Sequence, residues 1–198
     1  VKLSDLLRET GLKPKARWVL AEGSDTSGMT RSIPIEKILG DCLIAWAMNG
    51  EALRPEQGYP ARLVVPGWEG NMWVKWIRRL EFGDKPYMTR EETSKYTDLL
   101  TDGKARMFTW VMEAKSVVTS PSPEKPIRQK GIQQLRGLAW SGNGKIKRVD
   151  VSLDGGKNWK TAQLHAPIMT KSLVRFTLPF EWRGEELLIQ SRAMDETG

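Results

Sequence analysis

The sequence predicts an α+β chain in two parts, a mixed helix-and-strand domain followed by an all-β sandwich. Three observations predict it. Before residue 112, amphipathic helical segments alternate with strand-like runs. The stretch Ser120-Pro121-Ser122-Pro123-Glu124-Lys125-Pro126 is dense in proline, which disfavours regular structure and marks a boundary candidate. After it, short strands recur at regular spacing with glycine-bearing turns between them, the texture of a sandwich. Residues 1–112 are assigned to the first domain and residues 113–198 to the second.

The elements follow in order. Val1 to Gly11 reads as a short helix, with Leu3, Leu6, Leu7 and Leu12 at helical spacing and Gly11 as its stop. Arg17 to Ala21 reads as a strand, and Glu22 to Gly28 as a polar loop. Ser32 is a candidate cap for a helix through Leu39, with Pro34 in its first turn. The run from Cys42 to Met48 reads as a buried strand or a short buried helix, and Asn49-Gly50 after it signals a tight turn. Ala61 to Val65, Trp73 to Phe82 and Phe108 to Val111 read as strands, with a polar, turn- or helix-rich stretch at Met88 to Leu100. In the second part the strands are Gln134–Trp140, Ile146–Leu153, Thr161–Leu164, Leu173–Leu178 and Leu187–Ala193. Residues 145–153 alternate apolar and polar as a half-buried strand does.

Composition narrows the function classes. Hydrophobic residues make up 39% and charged residues 28% of the 198, so the chain has the composition of a globular protein rather than a disordered one. No apolar run approaches the roughly 18–20 residues of a membrane span. The net charge of +7 has two readings, a solvated basic surface or a basic cleft for an anionic ligand. Nucleic acid is disfavoured, because zinc-finger spacing, a basic helix and an RNP-type aromatic pattern are all absent. With one cysteine (Cys42) and one histidine (His165), an intrachain disulfide and a Cys/His zinc site are excluded. Cys42, inside an apolar run, reads as a buried structural thiol. The nine tryptophans are assigned mainly to cores. The opening Val1-Lys2-Leu3-Ser4-Asp5 has neither an initiator Met nor a signal peptide's apolar run, and the last strand-like run stops close to Gly198. Both features predict a chain that has lost residues at its two ends.

The chemistry is concentrated in residues 22–96. Gly67-Trp68-Glu69-Gly70-Asn71-Met72-Trp73-Val74-Lys75 is glycine-rich and ends in a lysine. It reads as a tight interstrand connection or as a loop whose N–H groups cradle phosphate oxygens. It is not a P-loop, since the Gly-Lys-Ser/Thr ending is missing.

Three strings carry a longer resemblance. Ala45-Trp46-Ala47-Met48-Asn49-Gly50-Glu51, Gly58-Tyr59-Pro60-Ala61-Arg62-Leu63-Val64-Val65-Pro66-Gly67 and Val74-Lys75-Trp76 are very similar to the molybdopterin-binding region of sulfite oxidases. Arg31-Ser32-Ile33-Pro34-Ile35 resembles the same family's Ser-Ile-Pro element. Residues 139–142 and 149–156, followed by Trp159, look like its immunoglobulin-like dimerisation domain. Gln57-Gly58-Tyr59-Pro60 and Glu91-Glu92-Thr93-Ser94-Lys95-Tyr96 resemble the sulfane dehydrogenase branch, and animal sulfite oxidases have His where this chain has Gln57. The chain is thus identified as a member of the sulfite oxidase family.

The resemblance implies a molybdenum cofactor (molybdopterin) and assigns roles by position. Asp25, Gln57, Arg62, Trp73, Val74 and Lys75 match cofactor-binding positions, with Arg62 and Lys75 as charge partners for phosphate. Tyr96 matches an active-site tyrosine, against the competing reading of an ordinary surface tyrosine. The family's molybdenum-ligating cysteine lies upstream of the matched region, and Cys42 matches no such position, so this chain alone is expected to be inactive. The parent is expected to oxidise sulfane sulfur on a carrier protein by oxygen-atom transfer, passing electrons to a c-type cytochrome subunit. Its expected setting is a periplasmic homodimer formed through the C-terminal domain. A plain sulfite oxidase and a non-catalytic dimerising module are the alternatives.

Overall fold

Strand β1 (Trp18–Gly23) is apolar along most of its length, and it is buried on both faces beyond its first residue. A strand buried that way needs a partner on each edge. It takes β2 (Thr30–Pro34) on one side and β7 (Ile77–Gly83) on the other, both antiparallel, with Leu20 opposite Ser32 and Glu81. The computed structural model describes residues 1–198. It divides the chain into two compact units, Val1–Trp110 and Val111–Gly198.

Around that sheet the first unit carries α1 (Leu3–Thr10), α2 (Ile35–Gly40) and α3 (Arg90–Lys95). It also has three two-stranded pairs. These join β3 (Leu43–Ala45) with β6 (Arg62–Val64), β4 (Ala47–Met48) with β5 (Glu51–Ala52), and β8 (Asp98–Leu99) with β9 (Ala105–Arg106). Val19, Ala21, Ile33, Ile38, Leu63, Val65 and Met72 are closed off from solvent at its centre. The Asn49-Gly50 signal is a two-residue hairpin turn between β4 and β5, with φ of 53° and 84° at its two residues.

Four local expectations give way to tertiary pairing. Ser32 does not cap a helix. It sits in mid-strand opposite Leu20, and α2 begins only at Ile35, because the ladder to β1 claims Ser32 first. The run Cys42–Met48 is two short strands with Trp46 and Met48 largely exposed, not a buried segment throughout. Residues 73–76 are not strand. A 3-10 turn at Gly70–Met72 and a left-handed Trp76 (φ 49°) delay β7 until Ile77. Phe108–Val111 forms no strand either. Phe108, at φ 59°, packs edge-on to Trp18, and Trp110 stacks on Trp68 at 4.9 Å.

The second unit is a two-sheet β-sandwich. One sheet runs β10 (Lys115–Ser120), β11 (Gly131–Trp140), β15 (Val174–Trp182), β14 (Gln163–His165). The other runs β13 (Lys160–Thr161), β12 (Ile146–Ser152), β16 (Gln190–Asp195). Leu135, Ala139, Val149, Val151, Val174 and Phe176 fill the space between them. The proline-dense stretch lies inside this unit as the β10–β11 connection. Proline density here marks a turn rather than a boundary, because β10 is hydrogen-bonded to β11 and so belongs to the sandwich. No helix is long and apolar enough to cross a membrane.

Candidate functional site

Two glycines mark where the chemistry-bearing loops meet. At Gly23 the pairing of β1 with β7 shifts register. A Cβ there would lie 2.8 Å from the Lys75 carbonyl oxygen, 3.3 Å from Asp25 Oδ1 and 3.4 Å from a Val74 methyl. At Gly58, with φ of 108°, a Cβ would lie 3.0 Å from Lys75 Cβ and 3.1 Å from Arg62 Cβ. Segments far apart in sequence are thus drawn within van der Waals reach of one another, and both junctions require glycine. The Ser24 N–H donates to the Trp76 carbonyl at 2.9 Å and closes the same junction.

The Asp25 carboxylate accepts hydrogen bonds from the Ser27 hydroxyl and, at 2.9 Å, from the Met29 N–H. The Ser27 bond first and the Met29 bond second hold its carboxyl below the usual range. Gln57 ends a 3-10 turn, Pro55–Gln57, and its side-chain oxygen accepts from the Arg54 N–H at 3.3 Å. Arg62, on β6, donates from Nη1 to the Gln57 carbonyl at 3.0 Å and from Nη2 to the Trp73 carbonyl at 2.8 Å. Its planar fork therefore clamps two of the converging loops together. Burial lowers its pKa from the ordinary arginine value.

The Trp73 indole donates to the Trp68 carbonyl at 3.1 Å, and its ring lies 5.7 Å from the Arg62 guanidinium. Val74 is buried, and its carbonyl accepts from the Leu63 N–H at 2.8 Å, pinning the segment to β6. Lys75 Nζ donates to the Glu56 carbonyl at 2.6 Å, beside a Trp76 indole that donates to the Pro55 carbonyl at 2.9 Å. The hydrogen bonds of Arg62 and Lys75 go to neutral carbonyls. Two positive charges are thereby concentrated where glycines let the backbone come close, an arrangement suited to an anionic group such as a phosphate.

Tyr96 is not in that cluster. It follows the last turn of α3, half-buried, with its carbonyl accepting from the Thr109 N–H at 2.9 Å. Its ring faces the Arg31 guanidinium at 4.5 Å, and Arg31 Nε lies 2.9 Å from Met72 Sδ, one residue before Trp73. Tyr96 is therefore one link removed from the cradle. The linking residues, Arg31 and Glu92, were not singled out by sequence reasoning. Both are fully buried, and Glu92 accepts from the Ser32 and Thr89 N–H groups. Burial raises the Glu92 pKa, opposed by those bonds and by Arg31. The Thr89-x-x-Glu92 spacing of a capping box was the available signal for Glu92. For Arg31 only its place within the Ser-Ile-Pro element pointed to it.

No group of three or more His, Cys, Asp or Glu side chains could hold a metal ion. Cys42 is buried, with its carbonyl accepting from the Leu3 N–H in the N-terminal part of the core.

Residues 1–91 match the family described as oxidoreductase molybdopterin binding domain, and residues 106–198 match the Mo-co oxidoreductase dimerisation domain. The chain is 34% identical over 182 residues to the mitochondrial sulfite oxidase of Drosophila melanogaster, an alignment covering 82% of this chain and 32% of that protein. Against the sulfite oxidase of Gallus gallus it is 34% identical over 183 residues, covering 84% and 39%. The solved structure of the sulfane dehydrogenase SoxCD from Paracoccus pantotrophus superposes with a TM-score of 0.95 at 63% identity, covering 100% of this chain and 51% of that one. The chain thus spans about a third of the sulfite oxidases it matches and about half of the solved chain.

Proposed function

The chain belongs to the sulfite oxidase family of molybdenum-cofactor oxidoreductases, and from that premise we propose that its protein is a sulfane dehydrogenase. It would oxidise sulfane sulfur held on a carrier protein and pass the electrons to a c-type cytochrome subunit, working in the periplasm as a homodimer joined through the second unit. The observation that carries the substrate class is the 63% identity to SoxCD along the whole of this chain.

Residues 23–75 fit the cofactor this requires. A phosphate-bearing group would be met by Lys75 and by the N–H groups that Arg62 leaves unbonded, with Gly23 and Gly58 allowing close approach. When bound, the molybdenum cofactor supplies two-electron, oxygen-atom-transfer chemistry. Asp25, ionised at neutral pH, offers acceptor oxygens beside the Gly23 junction. Gln57 offers an amide that neither gains nor loses a proton near neutral pH, unlike a histidine there. Trp73 and Val74 fix the backbone path of the wrapping segment. Tyr96 contributes a phenolic O–H at the reacting centre. With Cys42 buried and no other cysteine present, we also propose that this chain alone does not complete the metal site.

The test uses the full-length protein with its cytochrome acceptor. Reduction of the cytochrome with thiosulfate-charged carrier protein, and little with free sulfite, is the expected result. Strong sulfite turnover without carrier would replace this reading with a sulfite oxidase, the reading favoured by the identity to the Drosophila melanogaster enzyme. Absence of molybdenum from the purified full-length protein would instead leave a non-catalytic dimerising module.

A further inference from the structure

Arg31 is the largest fully buried side chain in the protein. Such a cation needs compensation, because removing a charge from water without partners is costly. Its Nε lies against Met72 Sδ at 2.9 Å, a weak acceptor, and 3.7 Å from the Glu92 carboxylate. Both outer nitrogens, Nη1 and Nη2, are buried with no hydrogen-bond partner. Its remaining close contact is the face of the Tyr96 ring, 4.5 Å from the guanidinium carbon, with the Glu69 and Glu91 charges adding weaker attraction. A cation–π contact gains strength when it is desolvated, as this one is.

The partners on either side are themselves fixed. Arg31 sits in β2 opposite Ala21, and Glu92 receives N–H bonds from Ser32 of β2 and Thr89 at the start of α3. The Thr89 hydroxyl donates to the Thr30 carbonyl at 3.1 Å, a second tie between the same two elements. One buried guanidinium therefore touches the sheet, the helix that ends at Tyr96 and the turn that leads into Trp73–Lys75.

We propose that Arg31 is a positioning residue for Tyr96, holding the phenol ring at a set orientation and distance relative to the cofactor cradle. The inference rests on the active-site reading of Tyr96 and goes beyond it by naming what orients the ring. A lysine in place of Arg31 would keep the charge but lose the planar face, so charge alone would not substitute.

The experiment compares Arg31→Lys, Tyr96→Phe and the combined variant in the full-length protein, measuring molybdenum content, kcat, KM and melting temperature. Because breaking a buried pair can unfold a protein, the charge-neutral pair Arg31→Met with Glu92→Gln is made as well. Arg31→Lys should lower kcat by roughly tenfold or more at unchanged molybdenum content, with KM within about threefold. Combining it with Tyr96→Phe should lower kcat no further than Tyr96→Phe alone, since both act through one ring. The Arg31→Met/Glu92→Gln variant should show the same loss. A general structural defect would instead multiply with the Tyr96 change. Wild-type kcat in the Arg31 variants, or multiplying losses, would overturn the positioning role while leaving Tyr96 in the site. Full activity in Tyr96→Phe would remove Tyr96 from the site and the proposal with it.

Discussion

Replacing Gly58 with alanine tests whether the cradle is as closely packed as its geometry requires. Two costs combine. A side chain at φ 108° and ψ 25° lies in a region L-residues rarely occupy, a strain of about 1–3 kcal/mol. The new methyl would also sit 3.0 Å from Lys75 Cβ and 3.1 Å from Arg62 Cβ, the rigid stems of two side chains. Relieving that overlap moves the Pro55–Gly58 turn away from both. This weakens the Lys75–Glu56 bond at 2.6 Å and the Arg62–Gln57 bond at 3.0 Å, each worth about 1 kcal/mol. With each bond weakened by about half, the summed loss is about 2–4 kcal/mol. Gly50→Ala is the matched control. It has a positive φ of 84° but nothing within 4 Å of the added carbon, so only the backbone cost of about 1–2 kcal/mol applies. Urea unfolding followed by tryptophan fluorescence gives both values. If the two variants agree within about 0.5 kcal/mol, contact at Gly58 adds nothing and the convergence on that residue is not energetically significant.

Three further outcomes are expected. Arg62→Ala in the full-length protein should reduce molybdenum content, because both carbonyl clamps and one cation are lost. Normal content by elemental analysis would detach Arg62 from the cofactor. Gly137→Ala should destabilise the sandwich by about 1–3 kcal/mol, since its Cβ would fall 2.1 Å from the Phe176 ring in the sealed core. A melting temperature unchanged from the parent would mean that both the ring and the Val117 carbonyl, 2.5 Å from the same Cβ, can move aside. Asp154 accepts bonds from the Asn158 N–H, the Asn158 amide, the Ser152 hydroxyl and, least in effect, the Lys157 N–H, which bring its pKa down to about 2. Its folded value lies below the unfolded one, so its contribution to stability is present above the unfolded pKa and is lost as pH falls from about 4 toward 2. Asp154→Asn should flatten that part of the stability-versus-pH curve, and an unaltered acid slope in urea titrations would count against the assignment.

The sandwich strands were legible because alternation at 145–153, and the glycine turns on either side, are local signals that the sheet then uses. The Asn49-Gly50 turn was legible for the same reason. The motif strings on either side of residues 58 and 75 carried the family, and with it the cofactor class, without any coordinates. Pairing and packing decided what local signals could not. Ser32 carries a helix-cap signal, yet it lies in a strand because the edge of β1, buried beyond its first residue, needs its backbone groups. The motif also says nothing of how Arg62 is used, as a clamp on the Gln57 and Trp73 carbonyls. It leaves unstated, too, that Arg31, a charged residue in a short polar strand, is wholly buried against Glu92 and Tyr96. Sequence alone determined which residue types are available and where the chain turns. Which of them meet is set by contacts between residues tens of positions apart, whose energies appear only once the chain has closed on itself.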